Sequence, residues 1–116
     1  MVEKWRELAE KNLETGDRVQ SAWPAQHNRQ GGYIVLSDRK LLFVAEKGLL
    51  SKTVSLELTL PYQKIGKTEI ETGSLIFTEV TGSKHAVQTV YLHAVKEKMD
   101  ELARGTSGRT TPQIAT

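Results

Sequence analysis

The apolar positions of this chain change their rhythm twice. Val2, Trp5, Leu8, Ala9 and Leu13 recur at helical spacing, while Glu3, Lys4, Arg6, Glu7, Glu10, Lys11 and Glu14 fill the positions between them. That pattern predicts an amphipathic helix over residues 2–14. Glu7 and Lys11 attract at i,i+4, whereas Glu3 and Glu7 repel. Gly16 is placed to end the helix, because glycine accepts the left-handed conformation without a Cβ clash. A helix this short is marginal alone in water, so its apolar stripe needs a surface to lie on.

From Asp17 the period becomes two. Val19, Ser21 and Trp23 point one way and Gln20 and Ala22 the other, and Pro24 interrupts the run as it would in an edge or sharply bent strand. Gln26–Gly32 reads as a loop. Tyr33–Ser37 and Lys40–Glu46 are apolar strands joined at Asp38-Arg39, through a two-residue or a four-residue turn. Lys47–Lys52 is the next loop. Thr53–Leu60 alternates cleanly, with Val54, Leu56, Leu58 and Leu60 predicted inward and Ser55, Glu57 and Thr59 outward. Pro61–Lys64 makes a turn, and Ile65–Thr72, Leu75–Val80 and His85–Leu92 follow as strands separated by Gly73 and by Thr81-Gly82-Ser83.

Helical spacing returns over His93–Arg104, where Leu92, Val95, Met99, Leu102 and Ala103 form one stripe and Gly105 is the expected stop. Seven short strands between turn signals predict a sandwich or barrel. A single amphipathic helix after the last strand needs an apolar opening to cover, which a barrel with one open end supplies. The predicted organisation is a helix over 1–15, a mainly β domain over 16–105, and a disordered Gly/Ser/Thr-rich tail over 106–116.

Composition narrows the function classes. At 116 residues the chain holds one domain. The longest apolar runs fall far short of the roughly 20 residues of a membrane span. The opening residues lack a signal-peptide layout and there is no cysteine, which together predict a cytoplasmic protein without disulfides or thiolate metal sites. Sixteen basic against fourteen acidic residues leave no segment basic enough for nucleic-acid binding to be expected.

Residues 16 to about 104 resemble the prokaryotic pleckstrin-homology-like (PH-like) domains, of the YokE-like, GRAM-related bacterial type. The resemblance is carried by Tyr33-Ile34-Val35-Leu36-Ser37-Asp38-Arg39-Lys40-Leu41-Leu42-Phe43-Val44, an apolar strand, a Ser-Asp turn, a basic residue and a Leu-Leu-Phe-Val strand. Gly48-Leu49-Leu50, Pro61-Tyr62-Gln63-Lys64-Ile65 and Gly73 follow in the family's order. It implies a seven-stranded antiparallel bent barrel of two nearly orthogonal sheets, plugged at one end by the C-terminal helix. The first helix lies outside the family pattern, and the resemblance supplies no catalytic residue.

Candidate chemistry is sparse. His27, His85 and His93 show no metal-ligand spacing and read as surface histidines. No Gly-x-Ser-x-Gly occurs. Gly31-Gly32 is too short to cradle a phosphate and reads as close packing or an unusual turn. No enzyme, cofactor or metal site is expected.

Two binding readings remain. The resemblance implies that the loops after strands one, three and six gather at the open end, bringing Arg29, Lys47, Lys52 and Lys84 towards an anion or lipid head group. Leu49 and Leu50 are then candidate membrane tips, or buried rim residues. The dense basic cluster of phosphoinositide binders is missing from the first loop. The favoured reading is a protein partner or self-association, with an extended segment between the fifth strand and the C-terminal helix. Lys67, Glu69 and Glu71 face out there, as charges that also guard an edge. Trp5, Leu8 and Leu13 are the contact candidates of the first helix; docking on its own barrel is favoured over a second copy or a membrane, which its four acidic residues oppose.

Overall fold

The computed structural model describes residues 3–48 and 51–110, so Val2, the candidate tips Leu49 and Leu50, and the tail beyond Thr110 lie outside the described residues. A helix α1 (Lys4–Lys11) precedes strands β1 (Val19–His27), β2 (Gln30–Ser37), β3 (Lys40–Lys47) and β4 (Thr53–Pro61). A 3-10 turn (Tyr62–Lys64) leads to β5 (Ile65–Glu71), β6 (Ser74–Glu79), β7 (Lys84–Gln88) and helix α2 (Leu92–Thr110). All strand pairs are antiparallel, in the order β4-β3-β2-β1-β7-β6-β5. Instead of two separate sheets there is one continuously bonded sheet. Its four-stranded and three-stranded parts meet at only two rungs, Gln26 opposite Gln88 and His27 opposite Val87.

The sheet buries apolar side chains on both faces, which is why β2 and β3 are continuous apolar runs. Ile34, Leu36, Leu41, Phe43, Leu58, Leu60, Leu75, Phe77 and Val87 fill the inside, closed by Val95 and Met99 of α2. Val35, Leu42 and Val44 face outward under Trp5 and Ala9 of α1. Trp5 stacks on Tyr33 with ring centroids 4.5 Å apart, a geometry that adds to the burial itself.

Strict alternation fails at three register slips, one of them between Ile65 and Lys67 of β5. Between Phe43 and Val44 the β3–β4 register slips, so Leu58 pairs with Phe43 and Leu56 with Val44. Leu58 and Leu60 therefore point inside, while Val54 and Leu56 pack under α1. The one-faced reading of Val54–Leu60 is corrected accordingly: one extra residue, Glu57, reverses the parity. A second slip between Val19 and Ser21 puts Val19 with Ala22 beneath α1, opposite Trp23.

Several boundaries also move. α1 ends at Lys11, where Asn12 caps it and its Nδ2 donates to the Leu8 carbonyl at 2.8 Å; Gly16, at φ +91°, serves the following turn instead. The expected Gln26–Gly32 loop is a tight hairpin with Asn28 (φ 53°) and Arg29 (φ 65°) both left-handed, as a primed two-residue turn requires. Pro24 lies inside β1 opposite Tyr33, just before pairing with β7 begins at Gln26. β7 stops at Gln88, and α2 runs through Gly105 to Thr110. Gly105 does not take a positive φ, and glycine inside a helix costs only about 1 kcal/mol against alanine. Residues 106–110 thus belong to α2 rather than to a tail.

The Ser37-Asp38 turn is held by a polar latch at the foot of the barrel. The Tyr62 hydroxyl donates to the Ser37 carbonyl at 2.6 Å, and Ser37 Oγ accepts from Lys40 N at 3.1 Å. Asp38 accepts from Arg18 N at 3.1 Å and Gln20 Nε2 at 2.8 Å. Burial, with Asp17 and Asp38 nearby, pushes the Tyr62 phenol well above its ordinary value, so it remains a donor at every physiological pH.

Candidate functional site

The stripe of α1 is taken up by its own sheet. Trp5 and Ala9 are buried, and Leu8 and Leu13 are partly buried in the same cluster. Trp5 consequently has no face left for a partner in this conformation.

The four candidate cations lie at one end of the strands. Antiparallel pairing puts the β1–β2 turn, the β3–β4 loop and the β6–β7 turn at that end. Arg29, Lys47, Lys52 and Lys84 are all exposed. Lys52 Nζ sits 3.4 Å from Glu46 Oε1, and its carbonyl accepts from Lys4 Nζ at 2.9 Å. The Glu46 carboxylate beside Lys52 dilutes the positive field there.

The expected groove beside β5 is present. β5 is an edge strand, and a cleft of about 200 Å³ between it and α2 is lined by Tyr62, Ile65, Lys67, Thr68, Lys96 and Asp100, among others. Lys67 pairs with Glu69 at 3.3 Å and Lys96 with Asp100 at 3.0 Å. Charged pairs thus rim it on both sides.

A larger groove was not foreseen. Pro24 and Gln26 of β1, Gly31 and Gly32 of β2, Gly73 of the β5–β6 turn, and Gln88–Leu92 at the β7–α2 connection surround a space of about 900 Å³. No charged residue lines it, in a chain that is 26% charged. At its lip Val90 is 88% exposed and Tyr91 44%. Their exposure is fixed by neighbours: Thr89 Oγ1 donates to the Pro24 carbonyl at 2.9 Å and accepts from Tyr91 N at 3.1 Å, and the Tyr91 carbonyl accepts from Val95 N at 3.0 Å. Sequence reading missed the groove because its walls come from four separated stretches of chain. The available signal was Val90-Tyr91, two large apolar residues after the last inward position of β7.

Of the histidines, His93 is exposed and His85 Nε2 lies 2.6 Å from Glu79 Oε2. His27 is not a surface residue. It is 8% exposed, tilted against Phe43 at 5.5 Å, and its Nδ1 has no partner. Burial, the largest influence, pushes its pKa below the usual 6.5; Glu57 raises it and His85 lowers it. Among the described residues no group of three or more acidic, His or Cys side chains could hold a metal ion, and no helix is long and apolar enough to cross a membrane.

A seven-stranded antiparallel barrel plugged by a C-terminal helix defines a PH-like fold, and comparison with solved structures agrees. A DUF1696 family protein with a pleckstrin-homology domain from Shewanella loihica PV-4 superposes with a TM-score of 0.58 at 17% identity, over 86% of this chain and 93% of that one. The C-terminal domain of an unknown protein from Leishmania infantum superposes with a TM-score of 0.59 at 11% identity, over 84% of this chain and 90% of that one. At these identities the likeness shows the fold alone. No family model and no curated protein matches the sequence.

Proposed function

We propose that this chain is a non-catalytic, cytoplasmic binding module that takes an apolar segment of a protein, from another chain or a second copy, in the uncharged groove beside Val90 and Tyr91. The assignment to the bacterial, GRAM-related PH type belongs to this proposal and rests on the Tyr33–Val44 pattern. One observation carries the reading: the groove of about 900 Å³ has no charge in its lining and two fixed, exposed apolar residues at its lip. Burying those residues against apolar side chains is favourable by roughly 25 cal/mol per Å², whereas an anionic head group there would lose its hydration with no cation to replace it. The candidate cations offer lipid a weaker site, since Lys52 already faces Glu46.

The test is selection of phage-displayed peptides on the immobilised full chain, followed by amide shift mapping. Selected peptides should be rich in aliphatic and aromatic residues and should move Gln26, Gly31, Gly73 and Tyr91. Val90→Asp should abolish their binding, and light scattering tells a second copy from another chain. Sedimentation with phosphatidylserine vesicles that salt and Lys47/Lys52→Glu abolish, and that Val90→Asp leaves intact, would overturn the reading in favour of lipid.

A further inference from the structure

We infer that His27 is an acid-sensitive latch on the seam that closes the sheet, and through that seam a regulator of the uncharged groove. The second clause rests on the function proposed above; the first stands on geometry alone.

The two parts of the sheet are joined between β1 and β7 by two rungs only, and His27 makes one of them, opposite Val87. The adjacent rung pairs Gln26 with Gln88, and both residues line the groove on the other face. One side of this seam is thus the groove wall, and the other side is the buried imidazole. Few buried contacts and few hydrogen bonds make a short ladder the first place for a sheet to part.

The surroundings of the imidazole suit only its neutral form. Its ring lies against Phe43 of β3, and Nδ1 meets no protein partner. From β2 the neighbour is Gln30, whose amide already donates to the Gly31 and Glu46 carbonyls at 3.2 and 3.0 Å. The titratable groups acting on the ring are Glu57 of β4 and His85 of β7. Glu57 is exposed at the β4 bulge, where its carboxylate accepts from Ser55 Oγ at 2.9 Å. His85 faces Glu79 of β6, so that carboxylate already has a partner. A proton added to His27 therefore creates a largely buried cation that forms no ion pair among the described residues, with only the exposed Glu57 carboxylate to attract it, and such a cation is relieved by moving towards water. The movement pulls His27 away from Val87, parts the adjacent Gln26–Gln88 rung and loosens the groove wall.

The direction with pH follows from linkage. A base whose pKa is lowered on folding contributes stability that is complete above its unfolded value near 6.5. That contribution is lost as pH falls below 6.5, and the loss levels off only below the closed form's own lowered pKa, where both forms carry the proton. For one proton the opening equilibrium rises at most about tenfold per pH unit.

The test measures hydrogen-exchange protection of the Gln26 and Gln88 amides, whose main chains face each other across the seam, in the full chain from pH 7.5 to 5. Protection should fall towards the tenfold-per-unit limit below pH 6.5, while amides at the β2–β3 centre stay protected. His27→Phe keeps a ring against Phe43 and removes the proton site, so its seam protection should be flat over the same range. Should that variant not fold, NMR titration of the wild-type His27 ring serves, with an expected midpoint below 6.5 that tracks the loss of seam protection. Equal pH dependence in His27→Phe, or a ring midpoint at or above 6.5, would overturn the latch. A loss of seam protection without weaker binding of the selected peptides between pH 7 and 5.5 would leave the latch standing and sink the regulation of the groove.

Discussion

Two adjacent glycines of β2 make opposite demands on the structure. At Gly32 an added Cβ would fall on the Val44 carbonyl oxygen and within 2.8 Å of the Ala45 Cα, both main-chain atoms of the paired strand β3. Neither can give way without shifting the ladder. At Gly31 an added Cβ meets nothing within 4 Å, and the backbone is outside the left-handed region. Gly32→Ala is thus overpacking against backbone and should cost about 3 kcal/mol, at the upper end of forced insertions. Gly31→Ala only restricts the unfolded chain and should stabilise by about 0.4–1 kcal/mol. The two variants differ by about 3–4 kcal/mol, which at a urea slope of about 1–3 kcal/mol per M separates their midpoints by at least about 1 M. Urea unfolding followed by the fluorescence of Trp5 and Trp23 measures this. Midpoints that coincide, or a Gly31→Ala variant weaker than Gly32→Ala, would refute the close approach of β2 and β3 at this rung. The same reasoning makes Gly31 the position at which a larger residue fills the groove without straining the strand.

Other outcomes follow from the same contacts. Trp5→Ala removes the anchor of an eight-residue helix that is marginal alone, so α1 should detach with a loss of about 3–5 kcal/mol; amide exchange over residues 4–11 would read this directly, while α2 stays protected. Trp5→Phe should lose much less, because the buried indole Nε1 has no acceptor in the native state and its removal relieves a cost of about 1–3 kcal/mol. Tyr62→Phe leaves the Ser37 carbonyl without its 2.6 Å donor and should cost about 1–3 kcal/mol in thermal or urea unfolding.

Much of the architecture was legible in the order of residues. The change from helical to two-residue period at Asp17 and back near His93 located both helices and all seven strands, and the apolar stripes correctly marked Trp5 and Ala9, and Val95 and Met99, as buried. Local spacing suffices there because each element must present one face to a core. The same spacing could not tell which face Val54 and Leu56 would take, since a bulge at Glu57 reverses parity without leaving a mark in the alternation. Nor could it show that Asn28-Arg29 would close so tight a turn, or that Gly105 would remain helical.

The candidate site divides along the same line. The cations and the β5–α2 cleft followed from the resemblance, because they belong to the fold's topology. The uncharged groove and the buried His27 exist only because β1 meets β7 for two rungs, which brings together residues more than sixty positions apart, such as Thr89 and Pro24. Sequence dictates period, length and chemistry of each segment, through forces that act within a few residues. Which segments share a wall, and whether a histidine is dry or wet, is decided by packing between distant parts of the chain.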